Sequence, residues 1–266
     1  MFHIFGDSHA AREHSGWRHC PNVITHHIPG TLCFSFGRDR LKRCNISNYN
    51  INDGDSVIFC FGEIDCRNHV HKHITPTNTY KHIIDKIIEN YIIAIKENLE
   101  NCNKKLKHVC IYNVVPPCHY IREAPTHPFP YLGTDEERRT YALYFNKVVK
   151  EKCKENNFIF FDIYDKVKDE HGFLNRELSD NNCHLIDGKA MNEFLDKLVT
   201  PLPKVFIISA TRGGAQFIEN LKSVQQQTYE KLEHVVVVDG SEFEEKVDEH
   251  IKSLENPKVK ISKIVL

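Results

Sequence analysis

The segment "FHIFGDSHAA", residues 2–11, decides the fold class of this chain. It begins as an apolar, strand-like run, turns at Gly6 and Asp7, and then presents Ser8. A short buried strand that ends in a glycine and a polar turn is typical of the start of a βα unit. We expect "HAAREH", residues 9–14, to begin the helix of this unit.

Four later segments share the β-branched or aromatic character of the first strand and are bounded by turn residues. Two longer segments, residues 75–102 and 135–156, separate the last three strands and place apolar residues at helical spacing. Strands that alternate with helices predict an α/β fold with a parallel sheet and right-handed crossovers. The five predicted strands are Phe2–Phe5, Asn22–Ile28, Ser56–Phe61, His108–Val114 and Phe158–Ile163.

The composition excludes several classes of protein. A net charge of -1 over 266 residues provides no field that would gather nucleic acid or an anionic membrane. The longest apolar stretch, "IDKIIENYIIAI", is interrupted by charges before it reaches the length of a bilayer span. The ten cysteines form no CxxC pair, and no basic and apolar leader is present. We therefore expect reduced thiols, a cytoplasmic location and no membrane span.

Ser8 follows the first strand directly, and ligands of parallel sheets bind beyond the carboxyl ends of the strands. If a helix starts there, its N-terminus favours negative charge at Ser8. The alternative is that Asp7 or Ser8 only caps this helix. A catalytic serine also needs a histidine as base, and preferably a carboxylate that orients it. Asp180 and His184 lie in the loop before the final helix of this domain. We expect this loop to lie at the same sheet edge as Ser8.

These positions resemble the SGNH (GDSL) hydrolase superfamily over roughly residues 1 to 200. The resemblance rests on Gly-Asp-Ser after the first strand, a glycine after the second, "GEID" after the third and the Asp/His pair. It implies a three-layer α/β/α, flavodoxin-like sheet. It also implies that Ser8 is the nucleophile and first oxyanion-hole amide, Gly30 the second amide, His184 the base and Asp180 its partner. No cofactor is implied, and no metal site.

The chain departs from the family pattern at two places. The family's third block is usually Gly-x-Asn-Asp, but Ile64 stands at the asparagine position and has no donor. Loss of one oxyanion donor costs 10² to 10³ in rate, so we expect either that Arg67 substitutes as a cationic donor or that activity is modest. The usual Asp-x-x-His spacing would place Asn181, not Asp180, at the acid position. We predict Asp180 as the orienting acid, with Asn181 or a Ser-His dyad as the alternative.

The other polar residues of these blocks have two interpretations each. Asp7, Glu63 and Asp65 are predicted to support the site or bind substrate, whereas Glu63 and Asp65 could equally cap a helix.

The alternating histidines of "HVHKH", residues 69–73, could bind zinc on one face of a strand. They follow the third strand, where a loop or helix is expected, so we predict a solvated segment there.

A different segment begins at "VTPLPKV", where two prolines separate the last helix from a new strand, Val205–Ser209. We predict domains at residues 1–201 and 202–266. The second resembles the start of a family 2 (GT-A) glycosyltransferase, a partial Rossmann-like unit. The matching residues are Ser223, Val224, Gln227, Thr228, Tyr229, Asp239, Gly240 and Ser241.

The resemblance implies that Thr211 and Asp239 flank the base and ribose of a nucleotide-sugar. Val238 replaces the first aspartate of the usual turn, and no metal-binding Asp-x-Asp follows before "KVKISKIVL", a predicted third strand. A divalent metal and a nucleotide-sugar belong only to a complete glycosyltransferase. We therefore expect this segment to be a fragment of a longer domain or a degenerate tail, without glycosyl transfer of its own.

The leading hypothesis from the sequence is a serine-dependent carbohydrate O-acyl (acetyl) esterase in a polypeptide associated with glycan synthesis. Its partner would be an acylated sugar or glycan. An alternative is a sugar O-acetyltransferase with the same triad, since only exclusion of water from the acyl-enzyme separates the two. A second alternative is a catalytically silent glycan-binding or scaffolding module.

Overall fold

The computed structural model describes residues 1–119, 128–199, 204–229, 231–254 and 257–266. The chain forms two compact units, Met1–Lys197 and Leu198–Leu266. Each unit is built on its own parallel sheet.

The N-terminal unit contains a five-stranded sheet with the order β2-β1-β3-β4-β5. Every neighbouring pair is parallel. This 2-1-3-4-5 order is the flavodoxin-like arrangement. The strand order reverses direction between β1 and β3, and ligands of such sheets bind at that switch point. The predicted α/β fold is confirmed. The strands are β1 (Phe2–Gly6), β2 (Val23–His27), β3 (Ser56–Cys60), β4 (His108–Tyr112) and β5 (Ile159–Phe161).

Helices connect these strands, and the two long ones agree with the sequence pattern. The longest, α3, starts after Thr79, whose side chain accepts from the His82 amide. Helix α4 starts with a capping box between Thr134 and Glu137. The helices of this unit are α1 (Cys33–Asp39), α2 (Val70–Lys72), α3 (Tyr80–Cys102), α4 (Asp135–Glu155), α5 (Tyr164–Val167) and α6 (Lys189–Val199).

Side chains on both faces of the sheet are buried, which makes the unit three layers deep. Successive residues of a strand point to opposite faces. Ile111 belongs to the core cluster that contains buried residues of α1, α3 and α4. Its neighbour Tyr112 packs against Trp17 at 5.4 Å between ring centroids, and Trp17 is fully buried. Phe194 of α6 stacks on Phe161 at 4.0 Å on that second face.

Gly6 ends β1 where no side chain can be accommodated. A Cβ atom there would lie 2.2 Å from the carbonyl oxygen of Cys60 on the neighbouring strand β3. The glycine of Gly-Asp-Ser is therefore required by the close approach of two strand ends, which fixes the position of the next residues.

The helix predicted for residues 9–14 does not form, and that prediction was wrong. Ser8–Ala10 make one 3₁₀ turn, capped by the Asp7 side chain on the amide of His9, and Ala11 is already extended. The Ser15 hydroxyl bonds the Ala11 carbonyl at 2.7 Å, so the chain turns inward. This path brings Trp17 under the sheet. Burial of the Trp17 side chain stabilises the fold more than extending the helix beyond Ala10 would. Ser8 thus lies on a single tight turn.

The C-terminal unit is a three-stranded parallel sheet with the order β6-β7-β8. Its core contains Phe217, Leu221, Val236, Val238 and Val247. The elements are β6 (Val205–Thr211), α7 (Ala215–Gln225), β7 (Leu232–Val238), α8 (Glu244–Lys252) and β8 (Lys260–Val265).

All ten cysteines are buried, and none of them is in a disulfide bond. Across the described ranges, none of the helices combines the length and the apolar character that crossing a bilayer would require.

Candidate active site

Ser8 and His184 meet at the carboxyl edge of the five-stranded sheet although they are far apart in sequence. The Nε2 atom of His184 lies 2.9 Å from the Oγ atom of Ser8. Ser8 is held there by the turn that follows Gly6, and His184 by the loop that precedes α6. The distance suits proton transfer from the hydroxyl to the imidazole.

Asp180 holds the other side of the imidazole. Its Oδ2 atom lies 2.7 Å from Nδ1 of His184, and its Oδ1 accepts the amide of His184 at 3.2 Å. The Asp180 amide also donates to the His184 carbonyl at 3.1 Å. The carboxylate therefore fixes both the orientation of the ring and the tautomer in which Nδ1 carries hydrogen.

Asn181 explains how the loop accommodates its extra residue. Its backbone is left-handed, with φ of 60°, a conformation that asparagine tolerates better than most residues. The Asn181 side chain accepts from Nε of Arg176 at 3.2 Å, away from the imidazole. The geometry therefore brings Asp180, and not Asn181, against His184.

Gly30 and Ile64 stand at the two loop positions that the resemblance connects with the oxyanion hole. Gly30 follows β2 in a left-handed turn with φ of 61°. Ile64, at the position of the family's asparagine, is buried. The amides of Ser8 and Gly30 stay predicted donors.

Arg67 is engaged with groups beside the site. Its Nε atom lies 3.0 Å from Oε1 of Glu63, and Nη1 donates to the Phe129 carbonyl at 3.1 Å. Its guanidinium also lies 4.9 Å from the centre of the Tyr131 ring. These contacts hold Arg67 as the counter-ion of Glu63, and its role as an oxyanion donor stays a prediction.

Glu63 and His9 form a buried charged pair next to the catalytic geometry. Oε2 of Glu63 lies 3.4 Å from Nε2 of His9. Burial opposes charge on Glu63, but the nearby Arg67 and His9 lower its pKa to about 2. Burial likewise lowers the pKa of His9, but the neighbouring Cys183 and Glu63 outweigh it and raise the value to about 9. The pair is therefore an ion pair at neutral pH.

Asp7 and Asp65 support the backbone around the site. Asp7 is buried and accepts the His9 amide at 2.9 Å; burial raises its pKa to about 6. Asp65 is fully buried and accepts the amides of Cys33 and Phe34 at 2.6 and 3.0 Å, at the start of α1. Burial raises the pKa of Asp65 to about 7. Asp65 therefore anchors the loop after β2 and presents no atom to a substrate.

The sequence analysis missed His9 and Cys183. The rings of His9 and His184 lie 4.9 Å apart between centroids, and Sγ of Cys183 lies 3.8 Å from Nε2 of His184. The available signal was adjacency, because His9 directly follows Ser8 and Cys183 directly precedes His184.

Of the histidines of residues 69–73, the rings of His69 and His73 lie 4.3 Å apart, whereas His71 points elsewhere. His69 stacks on Phe34 at 4.3 Å, whereas Nδ1 of His71 lies 3.2 Å from the Tyr141 hydroxyl. The segment is helical, with a π-helical turn over Asp65–His69 followed by α2.

Thr211 and Asp239 line one open pocket of about 670 Å³ in the C-terminal unit. The Asp239 amide donates to the Thr211 carbonyl at 3.0 Å, and the Asp239 carboxylate accepts from Nε of Arg212 at 2.8 Å. The pocket lies at the ends of β6 and β7, the edge at which parallel sheets bind ligands.

No protein-family model and no curated protein matches this sequence. Solved structures do match it. A Bacteroides fragilis protein assigned as an acylhydrolase is 13% identical, with a TM-score of 0.50 over 74% of this chain and 84% of its own. A GDSL-like lipase from Bacteroides thetaiotaomicron is also 13% identical, with a TM-score of 0.50 over 74% of this chain and 85% of its own. The chain thus shares the fold of GDSL-type hydrolases, which confirms the predicted SGNH-like sheet.

Proposed function

We propose that this chain is a serine-dependent carbohydrate O-acyl (acetyl) esterase that acts through an acyl-enzyme. The observation that carries the proposal is the continuous series of contacts from Asp180 through His184 to Ser8, at 2.7 and 2.9 Å. An imidazole between a carboxylate and a serine hydroxyl is the arrangement that activates serine in hydrolases.

The reaction follows from this geometry in two steps. The Oγ atom of Ser8 attacks the ester carbonyl while Nε2 of His184 accepts the hydroxyl proton. His184 then gives this proton to the departing sugar oxygen, which leaves an acyl group on Ser8. Water repeats the sequence, so that a carboxylic acid leaves and Ser8 is restored. Asp180 stabilises the imidazolium that forms in each step.

The oxyanion of each tetrahedral intermediate would accept hydrogen bonds from the amides of Ser8 and Gly30. Ile64 supplies no third donor, and loss of one donor typically costs about 10² to 10³ in rate. We therefore expect modest turnover. Arg67 could provide the third interaction only if a bound substrate draws it from its contacts with Glu63 and Phe129.

The carbohydrate part of the proposal is supported by the second unit. Residues 202–266 resemble the start of a GT-A glycosyltransferase, and Thr211 and Asp239 line its open pocket. An esterase joined to such a unit would act on acylated sugars during glycan synthesis. Acetylated monosaccharides should therefore be better substrates than acetylated alkyl alcohols.

Two other functions remain as alternatives. A sugar O-acetyltransferase would use the same acyl-enzyme but pass the acyl group to a sugar hydroxyl, so that added acceptor sugar would yield acetyl-sugar in place of acetate. A silent glycan-binding module is favoured by Ile64 alone, because the isoleucine removes one oxyanion donor.

The test is hydrolysis of p-nitrophenyl acetate by the full chain. Wild type should hydrolyse this ester, and Ser8→Ala should reduce the rate by a factor of at least about 10³. An organophosphonate should label Ser8 alone. Ser47→Ala, in an exposed turn away from the site, serves as the matched control and should keep the wild-type rate. Equal turnover in wild type and a folded Ser8→Ala variant would exclude the proposal.

A further inference from the structure

We propose that His9, Cys183 and His184 form a binding site for a thiophilic divalent cation such as Zn²⁺, and that its occupation switches the serine centre off. The ligand atoms of these three side chains all lie within 4.8 Å of one another. The inhibitory consequence rests on the proposed function, whereas cation binding does not.

The distances approach those of a tetrahedral site. Sγ of Cys183 and Nε2 of His184 are 3.8 Å apart. With a Zn–S bond of about 2.3 Å and a Zn–N bond of about 2.1 Å, two such ligands stand about 3.6 Å apart in a tetrahedron. Both atoms can thus reach one ion with little movement, and the ligand atom of His9, within 4.8 Å of the other two, completes the set by moving closer.

His9 supplies an independent indication of a ligand. His9 is 5% exposed, and its Nε2 atom faces Oε2 of Glu63 at ion-pair distance but makes no hydrogen bond. Such a nitrogen in a protein interior is costly unless something occupies its lone pair or its hydrogen. Oε2 of Glu63, 3.4 Å away, is also without a hydrogen bond and brings negative charge to the site.

His184 is already prepared as a ligand. Histidines that bind metals usually donate their other ring N–H to a carboxylate, which fixes the tautomer and raises the basicity of the ligating nitrogen. Asp180 makes this contact with Nδ1 of His184 at 2.7 Å. The lone pair of Nε2 is therefore available either to the Ser8 hydroxyl, 2.9 Å away, or to a cation.

The ligand set decides which cations bind. One sulfur and two imidazoles favour Zn²⁺ and Co²⁺ over Mg²⁺ and Ca²⁺, which prefer oxygen ligands. The Cys183 thiol and the charged His9 imidazole each lose one proton to solvent when the cation binds, so that a thiolate and two neutral imidazoles hold the ion. No oxidant or reductant takes part.

Inhibition follows because one lone pair serves two purposes. Nε2 of His184 must accept the proton of Ser8, 2.9 Å away, for the hydroxyl to attack an ester. A cation on Nε2 occupies that lone pair. The resting enzyme is then unable to activate its serine until the cation leaves.

The binding test uses Co²⁺ with the full chain and needs no enzyme activity. Wild type should bind one Co²⁺ with a near-ultraviolet thiolate-to-cobalt charge-transfer band, and Zn²⁺ should displace it. Cys183→Ser should lose the band and bind at least about tenfold more weakly. Cys102→Ser, another buried free thiol outside the cluster, should behave as wild type. His9→Gln is the second variant and should weaken binding without removing the band.

The inhibition test measures p-nitrophenyl acetate hydrolysis with increasing Zn²⁺. Wild type should be inhibited and recover with a chelator, and Cys183→Ser, compared with its own rate in the absence of Zn²⁺, should need at least about tenfold more Zn²⁺ for the same fractional inhibition. A cobalt band in a wild type without esterase activity would support the cation site and refute only the proposed function. Absence of the band in wild type, or unchanged binding in both folded Cys183→Ser and His9→Gln, would overturn the cation site.

Discussion

Asn181 is the residue that lets an aspartate four positions before a histidine orient its ring. Its left-handed backbone, with φ of 60°, turns the loop so that Asp180 faces His184. A carboxylate at this place stabilises the imidazolium that forms during proton transfer, which an amide cannot do. The spacing of this site is therefore an outcome of loop conformation and cannot be judged from sequence distance alone.

Asp180→Asn is expected to reduce ester turnover by about 10³ to 10⁴, because the amide favours the wrong tautomer of His184. Asn181→Gly keeps a residue that tolerates positive φ and removes only the contact with Arg176, so its rate should stay near wild type. The measurement is kcat on p-nitrophenyl acetate for the two variants. A larger loss in a folded Asn181→Gly than in Asp180→Asn would mean that the orienting residue is misassigned.

At the scale of strands and helices, the sequence predicted the sheet and its two long helices, but it misjudged the connection after the first strand. All five predicted strands of the N-terminal sheet form, because continuous buried β-branched and aromatic runs have few other stable arrangements in a parallel sheet. The helix expected over residues 9–14 does not form, since tertiary burial of Trp17 decides the path there. The contact of His9 with Glu63 was not predictable, because it depends on side chains from two different loops.

The close contact between β1 and β3 makes Gly6 sensitive to substitution. A methyl group at Gly6 would lie 2.2 Å from the Cys60 carbonyl, and backbone must move to relieve it. Gly6→Ala should lower the free energy of unfolding by about 3 kcal/mol. Gly214→Ala, where the nearest atom is 3.8 Å away, is the control. The check is the urea midpoint by circular dichroism, and equal midpoints would contradict the contact.

A pair of histidines on β1 and β2 makes the free energy of unfolding depend on pH. Nδ1 of His3 and Nε2 of His26 are 3.0 Å apart, a hydrogen bond that needs one neutral acceptor nitrogen. Burial, and then the nearby His3, lower the pKa of His26 to about 4. Between pH 6.5 and 4 the unfolded chain therefore binds a proton that the folded chain does not.

The free energy of unfolding should accordingly fall as pH drops from about 6.5 to 4, by about 2 kcal/mol from His26 after allowance for its partial exposure. His26→Asn should lose less stability over this range than wild type, and the exposed His82→Asn should follow wild type. Urea midpoints at several pH values measure the slopes. Parallel curves for wild type and His26→Asn would show that His26 does not titrate as expected.

At the scale of the whole molecule, the proposed chemistry belongs to one unit. Ser8, Asp180 and His184 lie within Met1–Lys197, whereas Thr211 and Asp239 lie within Leu198–Leu266. Each unit has its own sheet and its own core. The prolines and the new strand predicted domains at residues 1–201 and 202–266, and the function of the second segment rests on a partial resemblance.

Removal of residues 202–266 should leave turnover of small esters within about threefold of the full chain, because no proposed catalytic group is lost. The full chain should also bind uridine diphosphate sugars with Mn²⁺ more weakly than micromolar, since Val238 replaces a turn carboxylate. The measurements are kcat for the shortened chain, after its folding is verified, and calorimetric titration of the full chain. Loss of turnover in a folded shortened chain, or micromolar binding, would make the second unit part of a working site.

Trp17 is a fluorescent side chain in only one of the two units, Met1–Lys197. It is the only tryptophan in the sequence, and it is fully buried against Tyr112 and Phe161 in the N-terminal unit. Its fluorescence should be blue-shifted in the native state and resist quenching by acrylamide. Indole emission will therefore report unfolding of Met1–Lys197 but not of Leu198–Leu266, so a single fluorescence melt cannot describe the whole chain.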